Sequence, residues 1–206
     1  MLVILVRHGE TDFNKNGRIQ GSLNIPLNLT GNKQAIDLLK YLCTLKIDKV
    51  VCSNLERAKQ TIEPFLKRNP HIPCQYFPEL QENCMGSLNG LTWKEIKLKL
   101  KQEKTRIDDY GENKTEFIRR VVGFWKMEIL PMKNDISTVL VVTHGGYIAT
   151  LVLQLYKQGL LHIPQNITIS GPPENCSISI INVYHDSFYE LISYSDNTYL
   201  FSEDNS

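Results

Sequence analysis

The chain has 206 residues, of which 42% are hydrophobic, and a formal net charge of +1. This length suits one well-filled core and excludes two comfortable domains, so we expect a single domain over residues 1–206. A charge near zero gives no global attraction to nucleic acid or to anionic membranes, and no apolar run approaches the length of a membrane span. We therefore expect neither nucleic acid nor a membrane as a partner.

The cysteines and the N-terminus indicate the cellular compartment. The five cysteines are odd in number and scattered, without the spacing of metal ligands. They are typical of reduced thiols in a cytoplasmic or nuclear protein. The first ten residues include an arginine and a glutamate and show no small-residue cleavage pattern, so no secretory signal is expected.

Apolar, β-branched runs alternate with amphipathic segments along the chain. Strands are predicted at 2–7, 49–53, 138–143, 177–184 and 188–194, with a hairpin turn at 185–187. Helices are predicted to begin at a Thr30 cap, to carry apolar positions from Leu55 to Phe65, to run from Thr115 to Pro131, and to cover 146–156. This order predicts an α/β fold, a three-layer α/β/α sandwich with a mostly parallel central sheet and an antiparallel edge from the hairpin.

Residues 85–112 fit this pattern least well and are predicted to form a small helical cap, here called the cap segment. An apolar stripe of Trp93, Ile96 and Leu100 is accompanied by lysines on another face. Those lysines are Lys94, Lys97, Lys101 and Lys104. They indicate either an ordinary solvated helix face or a surface that attracts a multiply phosphorylated substrate. The residues after Phe201, about 202–206, form a polar tail.

Two strands end in the same kind of sequence. The first strand runs into Arg7-His8-Gly9, where Gly9 allows a sharp turn, and the strand over 138–143 runs into His144-Gly145. If the two strands are neighbours in a parallel sheet, both histidines lie at its carboxyl edge, where ligands bind in open α/β sheets. The strand over 49–53 leads into a helix with Arg57 in its first turn. The helix dipole disfavours a cation there, so Arg57 indicates a nearby anion.

Two chemistries can use such a set. His8, His144 and Glu82 could supply three ligands to zinc, but Arg7 and Arg57 would repel a divalent cation. An oxyanion suits the set better, because guanidinium groups grip phosphate bidentately and neutral imidazole is a competent nucleophile toward phosphorus. Two arginines and a protonated histidine would offset most of the charge of a phosphoryl dianion. These residues alone do not specify which histidine attacks.

The ordered motifs resemble the histidine phosphatase superfamily, also called phosphoglycerate-mutase-like. The resemblance spans roughly residues 1–160 and rests on Arg7-His8-Gly9-Glu10-Thr11, Asn14, Gln20-Gly21, Ser53 with Arg57-Ala58, Glu82 within residues 80–90, and Thr143-His144-Gly145. It implies a reaction without metal or organic cofactor. It also places the family's specificity-determining insertion at the cap segment.

Roles follow from the resemblance residue by residue. His8 matches the histidine that becomes phosphorylated, and His144 matches the second histidine of the pocket. The phosphate contacts are matched by Arg7, Asn14 and Arg57, with a backbone N–H from Gly145; Gln20 and Gly21 match the entrance. Glu82 matches the acid/base, with Glu10 the second-ranked carboxylate. One departure is Gln81, which stands where many members carry arginine before the acid.

Three functions compete. The first is a metal-independent phosphomonoester hydrolase that acts through a phosphohistidine on a small phosphorylated metabolite, such as a sugar phosphate or bisphosphate. The second is a cofactor-dependent phosphoglycerate mutase, which in this family carries an Arg-Arg pair with flanking aromatics after the cap; here Arg119-Arg120 lies inside a helical stretch. The third is an inactive phosphate-binding interaction module, which would be expected to have lost one of the matched site residues. The sequence favours the hydrolase and specifies neither the substrate nor the oligomeric state.

Overall fold

A computed structural model describes residues 1–201, and the predicted tail at 202–206 lies outside the described residues. Seven strands form one sheet in the order β3-β2-β4-β1-β6-β7-β5. Their bounds are β1 Leu2–Arg7, β2 Lys49–Ser53, β3 Cys74–Phe77, β4 Thr138–Thr143, β5 Leu161–His162, β6 Ile178–His185 and β7 Phe188–Asp196. The central pairs are parallel, and β6 runs antiparallel to both β1 and β7. The predicted α/β class, with its mostly parallel sheet and antiparallel hairpin, is confirmed.

Six α-helices accompany the sheet among residues 1–201. They are α1 Asp12–Lys15, α2 Leu29–Leu42, α3 Glu56–Arg68, α4 Trp93–Glu103, α5 Lys114–Phe124 and α6 Gly145–Lys157. The predicted Thr30 cap is wrong, because Asn28 caps α2 and its side chain accepts the N–H of Gly31. Asn113 likewise caps α5, two residues before the predicted start at Thr115. Beyond α5 the chain continues as a π-helical turn and a 3-10 turn up to Asn134, past the predicted end at Pro131.

Alternate residues of β1 enter two different cores. Val3 and Leu5 pack with side chains from α5 and α6, whereas Ile4 and Val6 pack with side chains from α2 and α3. Both faces of the central strands are therefore buried, which explains why these strands read as continuous apolar runs rather than alternating ones. The sheet and its two helical layers form the predicted three-layer sandwich.

The cap segment has a small core of its own. Met85, Leu88 and Ile96 are buried together. Partly buried hydrophobic residues surround them, namely Ile19, Leu91, Leu100, Ile107 and Tyr110. The capping box between Thr92 and Glu95 begins α4. This core lies beside the sheet's carboxyl edge through Ile19, which follows α1.

Gly9 serves a close approach rather than the expected sharp turn. Its φ lies outside the left-handed region, and a Cβ on Gly9 would lie 2.9 Å from the carbonyl oxygen of Gly31. A Cβ on Gly31 would in turn lie 2.1 Å from the carbonyl oxygen of Glu10. The start of α2 thus packs backbone against backbone on the loop after β1, and only glycine permits this distance.

Replacing Gly31 with alanine should therefore destabilise the protein. We expect a loss of about 1–3 kcal/mol in the free energy of unfolding, the usual cost of overpacking. Gly123→Ala is the matched control, since Gly123 also lies within a helix and its Cβ would meet no atom within 4 Å in the described structure. That variant should gain up to about 1 kcal/mol from helix propensity. Urea unfolding of both variants measures the difference, and equal behaviour would contradict the close approach.

Candidate active site

The parallel pairing of β1 with β4 brings the two histidines together. Arg7 lies opposite Thr143 in the register, so the following residues of each strand, His8 and His144, lie side by side. Their ring centroids are 5.2 Å apart. On the other side of β4 lies β2, and its end at Ser53 leads into α3 with Arg57 in the first turn. The convergence expected from the strand ends is therefore observed.

His8 is held with one ring nitrogen free for chemistry. The ring is buried, and its Nδ1 lies 2.7 Å from the carbonyl oxygen of Gly9. A carbonyl can only accept, so Nδ1 carries the proton and Nε2 keeps its lone pair. The His8 carbonyl accepts hydrogen bonds from the Asn175 side chain at 3.0 Å and the Cys176 amide at 3.2 Å. These bonds come from residues far along the chain and fix the backbone at His8.

His144 is fully buried beside His8. Its Nε2 lies 2.8 Å from Oγ of Ser53. Its Nδ1 is buried and has no partner within residues 1–201. If the Ser53 hydroxyl donates to Nε2, Nδ1 carries the proton and can donate to a bound oxyanion. Ser53 stood in the sequence motif without a role, and the structure shows what it contacts.

Both histidines are neutral at neutral pH. Burial, followed by the charges of Arg57 and Arg7, holds the pKa of His8 well below 6.5. Burial and the Arg57 charge do the same to the pKa of His144. Two neighbouring guanidinium charges thus oppose a third positive charge in the ligand-free protein. The protonated histidine was expected beside a bound phosphoryl dianion, and it stays a prediction.

The two arginines bring positive charge to the site. Arg57 is fully buried and donates to the carbonyl oxygens of Leu23 and Gly21 at 2.7 and 2.8 Å. Arg7 is partly buried and donates to the carbonyl oxygen of Pro173 at 2.6 Å. The Nε–H of each guanidinium is buried without a partner in the described structure. Burial lowers the pKa of Arg57 to about 10. Each arginine thus keeps at least one N–H group without a protein acceptor among residues 1–201.

Glu82 lies near the two arginines, and backbone amides hold its carboxylate. Its Oε2 accepts the N–H of Gly146 at 2.8 Å, and its Oε1 accepts the N–H of Asn83 at 2.9 Å. A Cβ on Gly146 would lie 2.5 Å from Oε1, so the second glycine after His144 makes room for this carboxylate. The negative charge of Glu82 also raises the pKa of Arg7 and Arg57 against the effect of burial.

The expected substrate contacts line one cavity of about 510 Å³. Asn14, Gln20, Gly21 and Gly145 all border it, together with Arg7, His8, Arg57 and Glu82. The Oδ1 of Asn14 accepts from Thr11 and Asn175, so its structural bonds use the oxygen and leave the amide nitrogen available. The Oε1 of Gln20 is buried without a partner among residues 1–201.

Other residues that the sequence analysis singled out do not line the cavity. Glu10 does not line it and instead accepts from the Asn28 side chain at 2.8 Å. The four lysines singled out in the cap segment are exposed and also lie outside the lining, which favours the solvated-face interpretation. The positive charges at the mouth are Arg18 and Lys114. Neither was singled out from the sequence, since each is an isolated cation in a polar stretch.

Among residues 1–201 no group of three or more His, Cys, Asp or Glu side chains is placed to hold a metal ion. Over the same residues, no helix is both long and apolar enough to cross a membrane. The imidazole and carboxylate groups of the cavity are instead interleaved with guanidinium groups, an arrangement that suits an oxyanion.

Comparison with known proteins agrees with this geometry. The family model of the histidine phosphatase superfamily, branch 1, matches residues 3–196. The chain belongs to the histidine phosphatase superfamily. A probable phosphatase of Schizosaccharomyces pombe is 33% identical over 99% of this chain and 97% of its own. A metal-independent phosphoserine phosphatase of Arabidopsis thaliana is 30% identical over 97% and 83%.

The same fold occurs in a mutase. The crystal structure of a phosphoglycerate mutase from Bacillus anthracis superposes with a TM-score of 0.80 at 23% identity, over 98% of this chain and 95% of that one. The family and its phosphatase relatives identify this chain as a phosphatase of the histidine phosphatase type.

The neutral histidines make folding stability depend on pH. In the unfolded chain each histidine takes a proton near pH 6.5, whereas His8 and His144 resist protonation when folded. Below about pH 6.5 the unfolded state therefore binds more protons. The free energy of unfolding should fall by up to about 1.4 kcal/mol per pH unit for each histidine until the pH reaches the folded-state pKa, with no such dependence above pH 6.5.

Urea unfolding between about pH 7 and pH 5 in phosphate-free buffer tests this. His8→Asn should remove about half of the histidine contribution to the slope. His71→Asn is the control, since His71 is exposed, and it should leave the slope unchanged. A His8→Asn slope equal to that of the wild type would contradict the neutral state of His8.

Proposed function

We propose that this phosphatase is a metal-independent phosphomonoester hydrolase that acts through a phosphohistidine on a small phosphorylated metabolite. The observation that supports this most directly is the pair of unpartnered guanidinium Nε–H groups, on Arg7 and Arg57, beside the free Nε2 of His8. A phosphoryl group supplies the oxygens that these donors lack, and it presents phosphorus to the imidazole. The metal-independent relative from Arabidopsis thaliana is consistent with this chemistry.

In the first step, Nε2 of His8 forms a bond to phosphorus while the ester P–O bond breaks. The leaving oxygen takes a proton from the Glu82 carboxyl group, which must carry that proton when the substrate binds. Arg7 and Arg57, with the Nδ1–H of His144 and the Asn14 amide, offset the charge on the equatorial oxygens. In the second step, Glu82 removes a proton from water, the water oxygen bonds to phosphorus, and the P–N bond breaks to release phosphate and His8.

The cavity supports a small substrate. Its volume of about 510 Å³ lies within the usual range for small-molecule sites. Apolar cap residues border it, including Trp93 and Ile107, and Lys114 adds a cation at the mouth. We propose that residues 1–201 act as one catalytic domain in which the cap segment closes over the substrate. The five free cysteines support a cytoplasmic or nuclear location.

Hydrolysis is favoured over mutase activity by the fate of Arg119-Arg120. Neither residue lines the cavity. All five N–H groups of Arg120 are bonded to protein oxygens, and Arg119 is exposed. The arginine pair that would hold a substrate carboxylate in a mutase is therefore used differently here. An inactive module is disfavoured because His8, Arg57, Glu82 and His144 are all present at the site.

The phosphohistidine can be trapped. Wild-type enzyme mixed with 4-nitrophenyl phosphate and quenched in alkali should carry an alkali-stable, acid-labile phosphate, and peptide mass spectrometry should place it on His8. His8→Ala should lose the label and turnover, because His144 is fully buried with its Nε2 against Ser53 and does not replace the nucleophile. Turnover of the wild type should be unaffected by a chelator. A label found on His144 would reverse the roles of the two histidines.

Glu82→Gln should discriminate between leaving groups. An alkoxide is a poor leaving group and needs the proton, so alkyl phosphates should be slowed by about two to four orders of magnitude in the phosphorylation step. A nitrophenolate leaves without help, and its burst should change much less. Burst kinetics on the two substrates separate these effects. Equal losses would mean that Glu82 only supports the pocket.

A further inference from the structure

The loop that carries Glu82 is unusually well held by its backbone. Four consecutive carbonyl oxygens, from Glu79 to Glu82, accept hydrogen bonds from side chains elsewhere in the chain. The Leu80 carbonyl accepts from Thr143 Oγ1 at 2.7 Å. The other three accept from one residue, Arg120 of α5. The segment, which leaves a 3-10 turn over Pro78–Leu80, thereby gains a fixed path.

All the N–H groups of Arg120 donate hydrogen bonds to this loop or to Glu112. Nη1 donates to the carbonyls of Glu79 and Gln81 at 2.7 and 2.8 Å. Nη2 donates to the carbonyl of Glu82 at 3.4 Å and to Glu112 at 2.6 Å, while Nε donates to Glu112 at 2.8 Å. A guanidinium has five N–H groups, and here each has an acceptor.

The guanidinium is also fixed in its plane. The two bonds to Glu112 form a bidentate pair, and the two side chains are only 22% and 17% exposed. The ring of Phe117 lies 5.0 Å from the guanidinium carbon. Low exposure makes such a pair costly to break, because one partner would remain charged and largely desolvated. Arg120 therefore presents its donors to the loop in a single orientation.

We propose that Arg120, held by Glu112, is the positioning residue for the general acid. The inference rests on the proposed role of Glu82 as that acid. Arg120 does not line the substrate cavity, so it acts through the backbone of residues 79–82 rather than on the substrate. The hydrogen bond from the Gly146 amide fixes the Glu82 carboxylate, and Arg120 fixes the main chain that carries it.

Glu112 adds a connection to the cap segment. Its amide donates to the carbonyl of Cys84 at 2.7 Å. Glu112, the last residue of the cap segment, thus contacts both Arg120 and the chain just after Glu82. A displacement of the cap segment would therefore reach Glu82 by this path. An error of about 1 Å in the position of a reacting group can cost about a hundredfold in rate.

The test is the dependence of rate on the leaving group. Arg120→Ala should slow phosphorylation by an alkyl phosphate by about 10- to 100-fold and by 4-nitrophenyl phosphate by less than about threefold, since only the former needs a well-placed proton. In the double variant with Glu82→Gln, loss of Arg120 should cause no further decrease in the rate on the alkyl substrate, because Arg120 acts only by positioning the carboxyl group that Glu82→Gln removes. Arg119→Ala is the matched control and should match the wild type on both substrates.

Two milder variants keep the test informative if Arg120→Ala unfolds. Arg120→Lys retains the charge but cannot span the same acceptors, and Glu112→Gln keeps the shape while weakening the bidentate pair. Each variant should slow phosphorylation by the alkyl phosphate more than by 4-nitrophenyl phosphate, by a smaller factor than Arg120→Ala. Equal losses on both substrates, no loss on either, or additive losses in the double variant would overturn the positioning role. If Glu82→Gln itself shows no leaving-group dependence, the proposed function fails instead.

Discussion

The rest of the site depends on two guanidinium groups, those of the fully buried Arg57 and the partly buried Arg7. Neither forms a salt bridge with a carboxylate among residues 1–201. Taking such charges out of water is costly unless partners replace the solvent. The protein supplies backbone carbonyls from Leu23, Gly21 and Pro173, which satisfy N–H groups but leave the net charge. Burial, together with this remaining positive charge, holds the pKa of His8 and His144 well below 6.5. The same positive charge would attract an anion to the cavity.

The support of the site comes from chain segments far apart in sequence. Asn175 binds the carbonyl of His8, and the Thr61 hydroxyl accepts the amide of Gly9 at 2.9 Å. Ser53 faces His144 from the end of a neighbouring strand. Each supporting group bonds to the backbone or to the ring nitrogen that is not used for chemistry. The reactive atoms stay free while their positions are fixed, which is the requirement for preorganised catalysis.

The convergence of Arg7, His8 and His144 could be predicted from the sequence because they lie at the ends of buried strands, whereas Glu82 and Asn14 were assigned only by the family resemblance. β1, β2 and β4 are apolar runs buried on both faces, and their carboxyl ends share one edge. β3 and β5 were missed, because the first is four residues with no buried side chain and the second has only two residues. The choice of Asn28 over Thr30 as the cap of α2 also lay beyond the pattern, since both residue types cap well.

The supporting residues could not be predicted for a different reason. Asn175 contacts His8 across 167 positions of sequence, and no local pattern reports such a pair. The same is true of Arg119-Arg120, because the sequence shows the pair but not the groups that each arginine contacts. Only the path of the loop over residues 79–82 decides that Arg120 faces the protein rather than the substrate.

The place of β1 in the sheet has a consequence for biosynthesis. β1 lies in the middle of the sheet, and its two neighbours are β4 and β6, which begin at Thr138 and Ile178. This apolar strand therefore cannot pair until more than a hundred further residues have been synthesised. Such non-local pairing slows folding and leaves hydrophobic surface open to aggregation during translation. A product truncated before β6 leaves β1 without one of its two neighbours.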